Sequence, residues 1–206
     1  MLGLEQVTNN NEGALRIMKR VFDLVVSILL LPLAIPICLL AAVAIWIECK
    51  ASPFFWQVRI GRNETLFQLL KLRTMAVDTI QAASHEVNRQ QILKVGRIIR
   101  STKIDELPQL WNVLAGDMSL VGPRPGLPLQ QELITARRQF DVFNLLPGIT
   151  GISQIAGKDM SSPWELAKLD ATYNQSWRVT RDLIILGRTI LGSGSGDAAT
   201  KNSKHG

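Results

Sequence analysis

From Leu24 to Ile47 no residue carries a charge, and apolar side chains fill nearly every position. As a helix this run rises about 36 Å, enough to cross a hydrocarbon core about 30 Å thick. A cleaved signal peptide fits poorly, because the run exceeds an apolar signal core and no small-x-small cleavage site follows it. Two features complicate a plain span. Pro32 and Pro36 stand in mid-run, and each removes a backbone donor and favours a bend or break. Both flanks are also basic, with Arg16, Lys19 and Arg20 before the run and Lys50, Arg59 and Arg62 after it. Cytoplasmic flanks favour Lys and Arg. A re-entrant helix, broken at proline and returning to the same membrane face, satisfies both observations. A bent span and a buried core helix are the alternatives.

Beyond the run the patterning shortens. Phe54 to Arg59 is aromatic and β-branched, Gly61-Arg62-Asn63 is a turn signal, and Leu66 to Leu72 is a second apolar stretch, which together predict a short β-hairpin. Asp78 to Lys94 is polar with Ile80, Val87 and Ile92 interspersed, the pattern of a surface helix. Leu107, Leu110, Trp111 and Leu114 recur at helical spacing, and Gly116 suits a C-terminal cap. Pro108 must then lie in the first turn, so this helix starts near Ile104 to Glu106. Glu132 to Phe143, Trp164 to Trp177 and Leu183 to Leu191 predict further helices. Trp164, Trp177 and Leu183 to Leu186 suit either a membrane surface or a packed core. The tail from Gly192 reads as disordered. The expected fold class is α+β and helix-rich. It comprises a polar segment (1–18), a re-entrant membrane helix (19–50), a small cytoplasmic catalytic domain with interfacial amphipathic helices (51–191) and the tail (192–206).

Composition adds a sign. The 206-residue chain is 47% hydrophobic, which excludes wholesale disorder, and carries a net charge of +6. That balance calls for an anionic partner: nucleic acid, an anionic membrane or a phosphorylated substrate. Between Lys50 and Arg124 there are 11 Lys or Arg against 6 Asp or Glu, so most of the excess lies in this block. No helix-turn-helix, zinc or aromatic-platform pattern accompanies it, which argues against nucleic acid. Cys38, Cys49, His85 and His205 have no metal-ligand spacing, and two cysteines suit a reduced protein facing the cytoplasm.

The chemistry gathers between Val95 and Pro125. Asp105 and Glu106 sit at the start of the helix signalled by Leu107 to Leu114. An aspartate there is an ordinary N-cap. It is also half of an adjacent carboxylate pair, preceded by Arg97, Arg100 and Lys103 and followed by Arg124 in a Gly-Pro-Arg-Pro turn. A helix N-terminus with basic side chains suits phosphate. Carboxylates beside phosphate can hold a divalent metal or attack phosphorus. A glycosidase is excluded, since adjacent residues do not flank a sugar at the required separation of about 5–9.5 Å.

The stretch Lys103 to Pro125 (KIDELPQLWNVLAGDMSLVGPRP) resembles the signature of the monotopic phosphoglycosyl transferases, the bacterial sugar transferase family. Lys19-Arg20-Val21-Phe22-Asp23 is similar to the basic entry to that family's re-entrant helix. Lys71-Leu72-Arg73-Thr74-Met75 and Pro147-Gly148-Ile149-Thr150-Gly151 are similar to two later blocks, and Asp170 and Tyr173 to an acidic-aromatic element. The likeness covers about residues 16 to 190 in order. It implies that Asp105 attacks the β-phosphate of a UDP-sugar, that UMP leaves, and that polyprenyl (undecaprenyl) phosphate then takes the phosphosugar from the enzyme. Glu106 is then the partner of Asp105, and Mg2+ is held by Asp105 and Glu106. Arg100, Arg124, Lys71, Arg73, Arg97 and Pro125 become the substrate-binding residues. The implied setting is the cytoplasmic face of a bacterial inner membrane, in contact with its lipids. The first sugar to try is an N-acetylated amino sugar, with galactose and glucose open, as is the oligomeric state. Three positions depart from the pattern. Ile35 stands where serine precedes the helix-breaking proline, Pro32 is an extra break, and Ile152 replaces an aromatic. Larger relatives carry transmembrane helices before this domain, and this chain looks like the minimal form. Direct attack by the lipid phosphate and a non-catalytic basic membrane adaptor are the competing readings.

Overall fold

The computed structural model of the chain describes residues 2–77, 92–174 and 177–192, with side chains described from residue 13 onward, that of Asn174 excepted. Its longest element is helix α1 (Leu2–Cys49). The helix takes in the polar stretch before residue 19 and continues through Pro32 and Pro36. The expected break is therefore not a gap in the helix. Each proline deprives only the carbonyl four residues earlier, and the leucine- and alanine-rich flanks propagate helix on both sides. Residues Gly13–Cys49 are long and apolar enough to cross a membrane.

One stripe of α1 faces the rest of the protein. Asp23, Ser27, Ala34, Ala42 and Ile45 are buried along it, at spacings of three, four, seven and eight. The opposite stripe of Val21, Val25, Leu29, Leu33, Leu40, Val43 and Ile47 is exposed. The basic entry residues do more than flank the run. Arg20 donates to the carbonyls of Val113 and Leu114 at 2.5 and 3.0 Å, neutralising the end of another helix. Lys19 bridges two fully buried carboxylates, Asp23 at 2.8 Å and Asp182 at 2.7 Å. Asp182 also accepts the Tyr173 hydroxyl at 2.6 Å and the Trp177 indole N–H at 3.0 Å. At the far end, Glu48 accepts the backbone N–H groups of Lys94 and Val95 at 2.7 and 2.9 Å. These are orphan donors of helix α2 (Lys94–Ser101), which has no side-chain cap of its own.

Strands β1 (Phe54–Ile60) and β2 (Leu66–Leu72) pair antiparallel, with Gln57 opposite Leu69 and Arg59 opposite Phe67. The Asn112 side chain closes the outer edge of β2, accepting Leu70 N–H at 3.0 Å and donating to Gln68 O at 2.7 Å. A 3-10 turn (Ile104–Gln109) leads into α3 (Leu110–Ala115), ended by Gly116 in the left-handed region. Strands β3 (Ser119–Val121) and β4 (Gly148–Thr150) pair in parallel. Between them lies α4 (Gln131–Gln139), shorter than expected because Asp141 turns left-handed and a 3-10 turn (Val142–Asn144) follows. Short α5 (Ile152–Ile155), α6 (Pro163–Asn174) and α7 (Val179–Ile190) complete the chain. Leu69, Leu110, Val113, Met118, Leu120, Val121, Tyr173 and Ile185 form the main core, and Ala34 of α1 joins it. Trp177 lies beyond α6 and packs on this core, whereas Trp164, Leu183 and Ile184 are exposed. The surface helix expected over Asp78 to Lys94 and the tail beyond Gly192 fall largely outside the described residues.

Candidate active site

Lys103 is the residue that turns the chain into the site. It sits in the left-handed region at φ 58, ahead of the 3-10 turn, and its carbonyl accepts the Glu106 N–H at 3.1 Å. A non-glycine residue there carries local strain, of a kind that collects at functional sites. Asp105 consequently lies inside the first turn and makes no side-chain cap, so the ordinary N-cap reading does not describe it.

Two elements bring cations to Glu106. Arg124, on the loop after β3, places Nη1 2.9 Å from Glu106 Oε1, and Lys71 of β2 places Nζ 3.6 Å from the same oxygen. Burial alone would raise Glu106, but Arg124 and Lys71 outweigh it and hold the carboxyl well below its usual range. Asp105 is the opposite case. Burial pushes it up, the neighbouring Glu106 charge adds to the push, and Lys71, Arg100 and Arg124 oppose it only in part, leaving it at about 6. Among the described residues no ion pair fixes the Asp105 carboxylate. Two adjacent carboxyls therefore differ in kind: one is held ionised by its partners, the other is desolvated and uncommitted.

The remaining expected residues divide. Arg100, on the last turn of α2, acts on Asp105. Pro125 is buried and contributes its carbonyl, which accepts Arg59 Nη1 at 3.0 Å. Arg73 is not brought to the carboxylates. Strand β2 ends one residue earlier, and the Arg73 side chain donates to Ser52 O at 2.8 Å and lies over the Phe55 ring. Arg97 is exposed on α2 and forms no ion pair with Asp105 or Glu106 among the described residues. In their place the structure adds Arg59. Burial and the Arg124 charge push Arg59 down to about 9, yet a guanidinium keeps its proton at neutral pH. The signal for Arg59 is the alternation Gln57-Arg59, polar positions two apart within an otherwise apolar strand.

The Gly-Pro-Arg-Pro turn after β3 and the Pro-Gly-Ile-Thr-Gly segment that contains β4 pack backbone to backbone. Gly122 N–H donates to Thr150 O at 2.8 Å and Gly148 N–H to Pro123 O at 2.9 Å. A side chain on Gly122 or Gly148 would collide with the opposing backbone, so close approach requires glycine at both.

No cluster of three or more metal-type ligands occurs among the described residues. Asp105 with Glu106 nevertheless suits magnesium, an ion usually held by one or two carboxylates while substrate phosphates and water complete its shell. Asp105 is the better placed of the two, since Arg124 and Lys71 already engage Glu106.

Residues 14–194 match the bacterial sugar transferase family. The chain is 41% identical over 186 residues to the UDP-glucose:undecaprenyl-phosphate glucose-1-phosphate transferase of Caulobacter vibrioides, covering 86% of this chain and 70% of that protein. It is 40% identical over 174 residues to the uncharacterized sugar transferase EpsL of Bacillus subtilis, covering 84% of this chain and 86% of that one. It is 32% identical over 203 residues to the UDP-galactose-lipid carrier transferase of Erwinia amylovora, covering 90% of this chain but 42% of that longer protein.

Proposed function

The chain belongs to the bacterial sugar transferase family, its relatives include enzymes named as UDP-glucose:undecaprenyl-phosphate glucose-1-phosphate transferases, and we propose that it makes a polyprenyl-diphosphate-sugar through an aspartyl intermediate. The donor is a UDP-sugar. A carboxylate oxygen of Asp105 bonds to the β-phosphorus, the bond from that phosphorus to the bridging oxygen breaks, and UMP leaves with the electron pair. The phosphate oxygen of the polyprenyl carrier then attacks the same phosphorus and releases Asp105 as a carboxylate. The observation that carries this reading is the asymmetry of the pair. Glu106 is spent on Arg124 and Lys71, while Asp105 is desolvated and available, as a nucleophile must be.

Phosphoryl transfer depends on positioning and on neutralising charge over the equatorial oxygens. Arg124, Lys71 and Arg100 supply cations around the carboxylates, and Glu106 aligns the first two. Asp105 and Glu106 would hold magnesium, which would add charge neutralisation on the diphosphate. The named relatives favour a hexose without an acetamido group, in place of the N-acetylated amino sugar expected from the sequence. The enzyme works at the cytoplasmic face of the inner membrane, with α1 in the lipid.

One experiment tests the reading. Purified protein with magnesium and undecaprenyl phosphate is given UDP-glucose, UDP-galactose and UDP-N-acetylglucosamine in turn, and UMP is measured. Without lipid, a labelled phosphosugar should remain on Asp105. UMP release that needs lipid, with no adduct, would instead mean direct attack by the carrier. No UMP from any donor would leave the adaptor reading.

A further inference from the structure

Three consecutive carbonyls of the loop carrying Arg124 are each held by a separate donor. Arg137 Nη2 donates to Arg124 O at 2.8 Å, Arg59 Nη1 to Pro125 O at 3.0 Å, and the Ile60 N–H to Gly126 O at 3.0 Å. Both arginines are buried, Arg59 at 7% exposure and Arg137 at 3%. Each has its own support. Gln57 Oε1 accepts from Arg59 Nε and Nη2 at 3.2 and 2.6 Å. Asp170 Oδ2 accepts from Arg137 Nη2 at 3.1 Å, and Asp170 Oδ1 accepts the Ser153 hydroxyl at 2.6 Å. Neither arginine forms an ion pair with Asp105 or Glu106 among the described residues, although Arg124 reaches from the same loop to Glu106 at 2.9 Å.

Stability does not account for this arrangement. A buried guanidinium-carboxylate pair roughly breaks even against an apolar isostere, because desolvation offsets the attraction. Arg59 makes no ion pair among the described residues, and the Glu106 charge only partly offsets its desolvation. What two buried cations converging on adjacent carbonyls do achieve is orientation. They fix the peptide planes at Arg124 and Pro125, and hence the direction in which the Arg124 side chain leaves the backbone.

We propose that Arg59 and Arg137 are positioning residues for Arg124. Gln57–Arg59 braces the loop from β1, and Ser153–Asp170–Arg137 braces it from α5, α6 and α4. Together they aim the Arg124 guanidinium at Glu106 and at the substrate diphosphate. The last clause rests on the phosphoglycosyl transfer proposed above. An ångström of misplacement at such a group costs on the order of 100-fold in rate, so the braces act on turnover more than on donor binding.

The test has two independent readouts on the full-length protein in lipid nanodiscs. The first is hydrogen exchange of the amides of Gly122, Arg124, Gly126, Leu127 and Leu129, which needs no reaction. Asp170→Asn and the milder Ser153→Ala should both raise exchange there, and Arg59→Lys should do the same from the other side. Unchanged exchange in Ser153→Ala and Asp170→Asn would overturn the brace. The second readout is a double-mutant cycle on UMP release. Asp170→Asn should lower kcat about 10-fold with little change in KM for the UDP-sugar, and should lose most of that effect in an Arg124→Ala background. Equal losses in both backgrounds, recovered by cooling well below the melting temperature, would mean that Asp170 only stabilises the fold, and would overturn the proposal. If wild-type protein releases no UMP at all, the transfer reading fails while the exchange experiment still decides whether the loop is braced.

Discussion

At the scale of the residue, the informative contrast is between Asp105 and Glu106. They are neighbours in sequence, and only the resemblance to a family motif assigns them different roles. Their surroundings distinguish them physically, because Arg124 and Lys71 pair with one oxygen of Glu106, whereas at Asp105 the same cations and Arg100 only partly offset burial. Asp105→Asn keeps size and removes the attacking charge, so UMP release should vanish with and without lipid while the melting temperature changes little. Rapid release by that variant would return Asp105 to a structural role. Glu106→Gln leaves Arg124 and Lys71 without their anion and should slow turnover yet leave a measurable trace. Arg100→Ala and Arg124→Ala should each cost at least about 1.5 kcal/mol in kcat/KM, the lower range for a hydrogen bond to a charged group. Acidity gives a further check. The folded Asp105 carboxyl is raised to about 6, so it is ionised and able to attack at neutral pH, and takes up a proton as pH falls through about 6. Without magnesium, the Asp105 carboxyl should therefore titrate above an ordinary aspartate, as carbon-13 NMR of labelled aspartate will show, and added magnesium should lower it, because the ion favours the charged form. A magnesium-free value at or below that of an ordinary aspartate would contradict the desolvated environment.

At the scale of the element, legibility follows the range of the signal. Strands β1 and β2, the turn between them, the start of the Asp105 segment and the Gly116 cap were readable, because alternation, turn residues and glycine act locally. The roles of the arginines were not, because they depend on pairings across the fold. Arg59 reads as a basic flank of the apolar run, yet it is buried beside Pro125. Arg73 reads as the twin of Lys71, yet the strand ends between them and the chain turns toward Ser52. Lys19 likewise reads as a positive flank, but in the structure one ammonium serves two fully buried carboxylates on α1 and α7. Removing one member of a buried ionic cluster typically costs about 3–5 kcal/mol, because the remaining charges are uncompensated. Lys19→Ala should lower unfolding stability by about that amount, measured in detergent, and Asp182→Asn should recover part of the loss in the double variant. Equal stability of Lys19→Ala and wild type would show that water reaches the cluster.

At the scale of the whole molecule, the question is how a helix long enough to cross a bilayer lies with respect to it. The sequence offered a break at Pro32 or Pro36 as the means of returning to one face, whereas α1 is helical through both. The architecture reaches the same expectation by another route. The entry to the apolar run is fastened through Arg20 and Lys19 to α3 and α7, its middle joins the core at Ala34, and its exit is fastened through Ile45 and Glu48 to β2 and α2. One folded domain thus holds both ends. A perpendicular span would carry that domain, with Asp105, Glu106 and their arginines, into hydrocarbon, where unpaired charge costs several kcal/mol per group. Lying along the membrane surface, α1 can instead bury its outer stripe of Val21, Val25, Leu29, Leu33, Leu40, Val43 and Ile47 in lipid while the domain stays wet. Both ends of α1 should accordingly be cytoplasmic. Single cysteines near residues 10 and 60, in a Cys38→Ala, Cys49→Ala background, should resist a membrane-impermeant thiol reagent on intact cells and react after the membrane is opened. Labelling of only one of the two on intact cells would establish a true span, and would require the contacts at one end of α1 to open in the membrane.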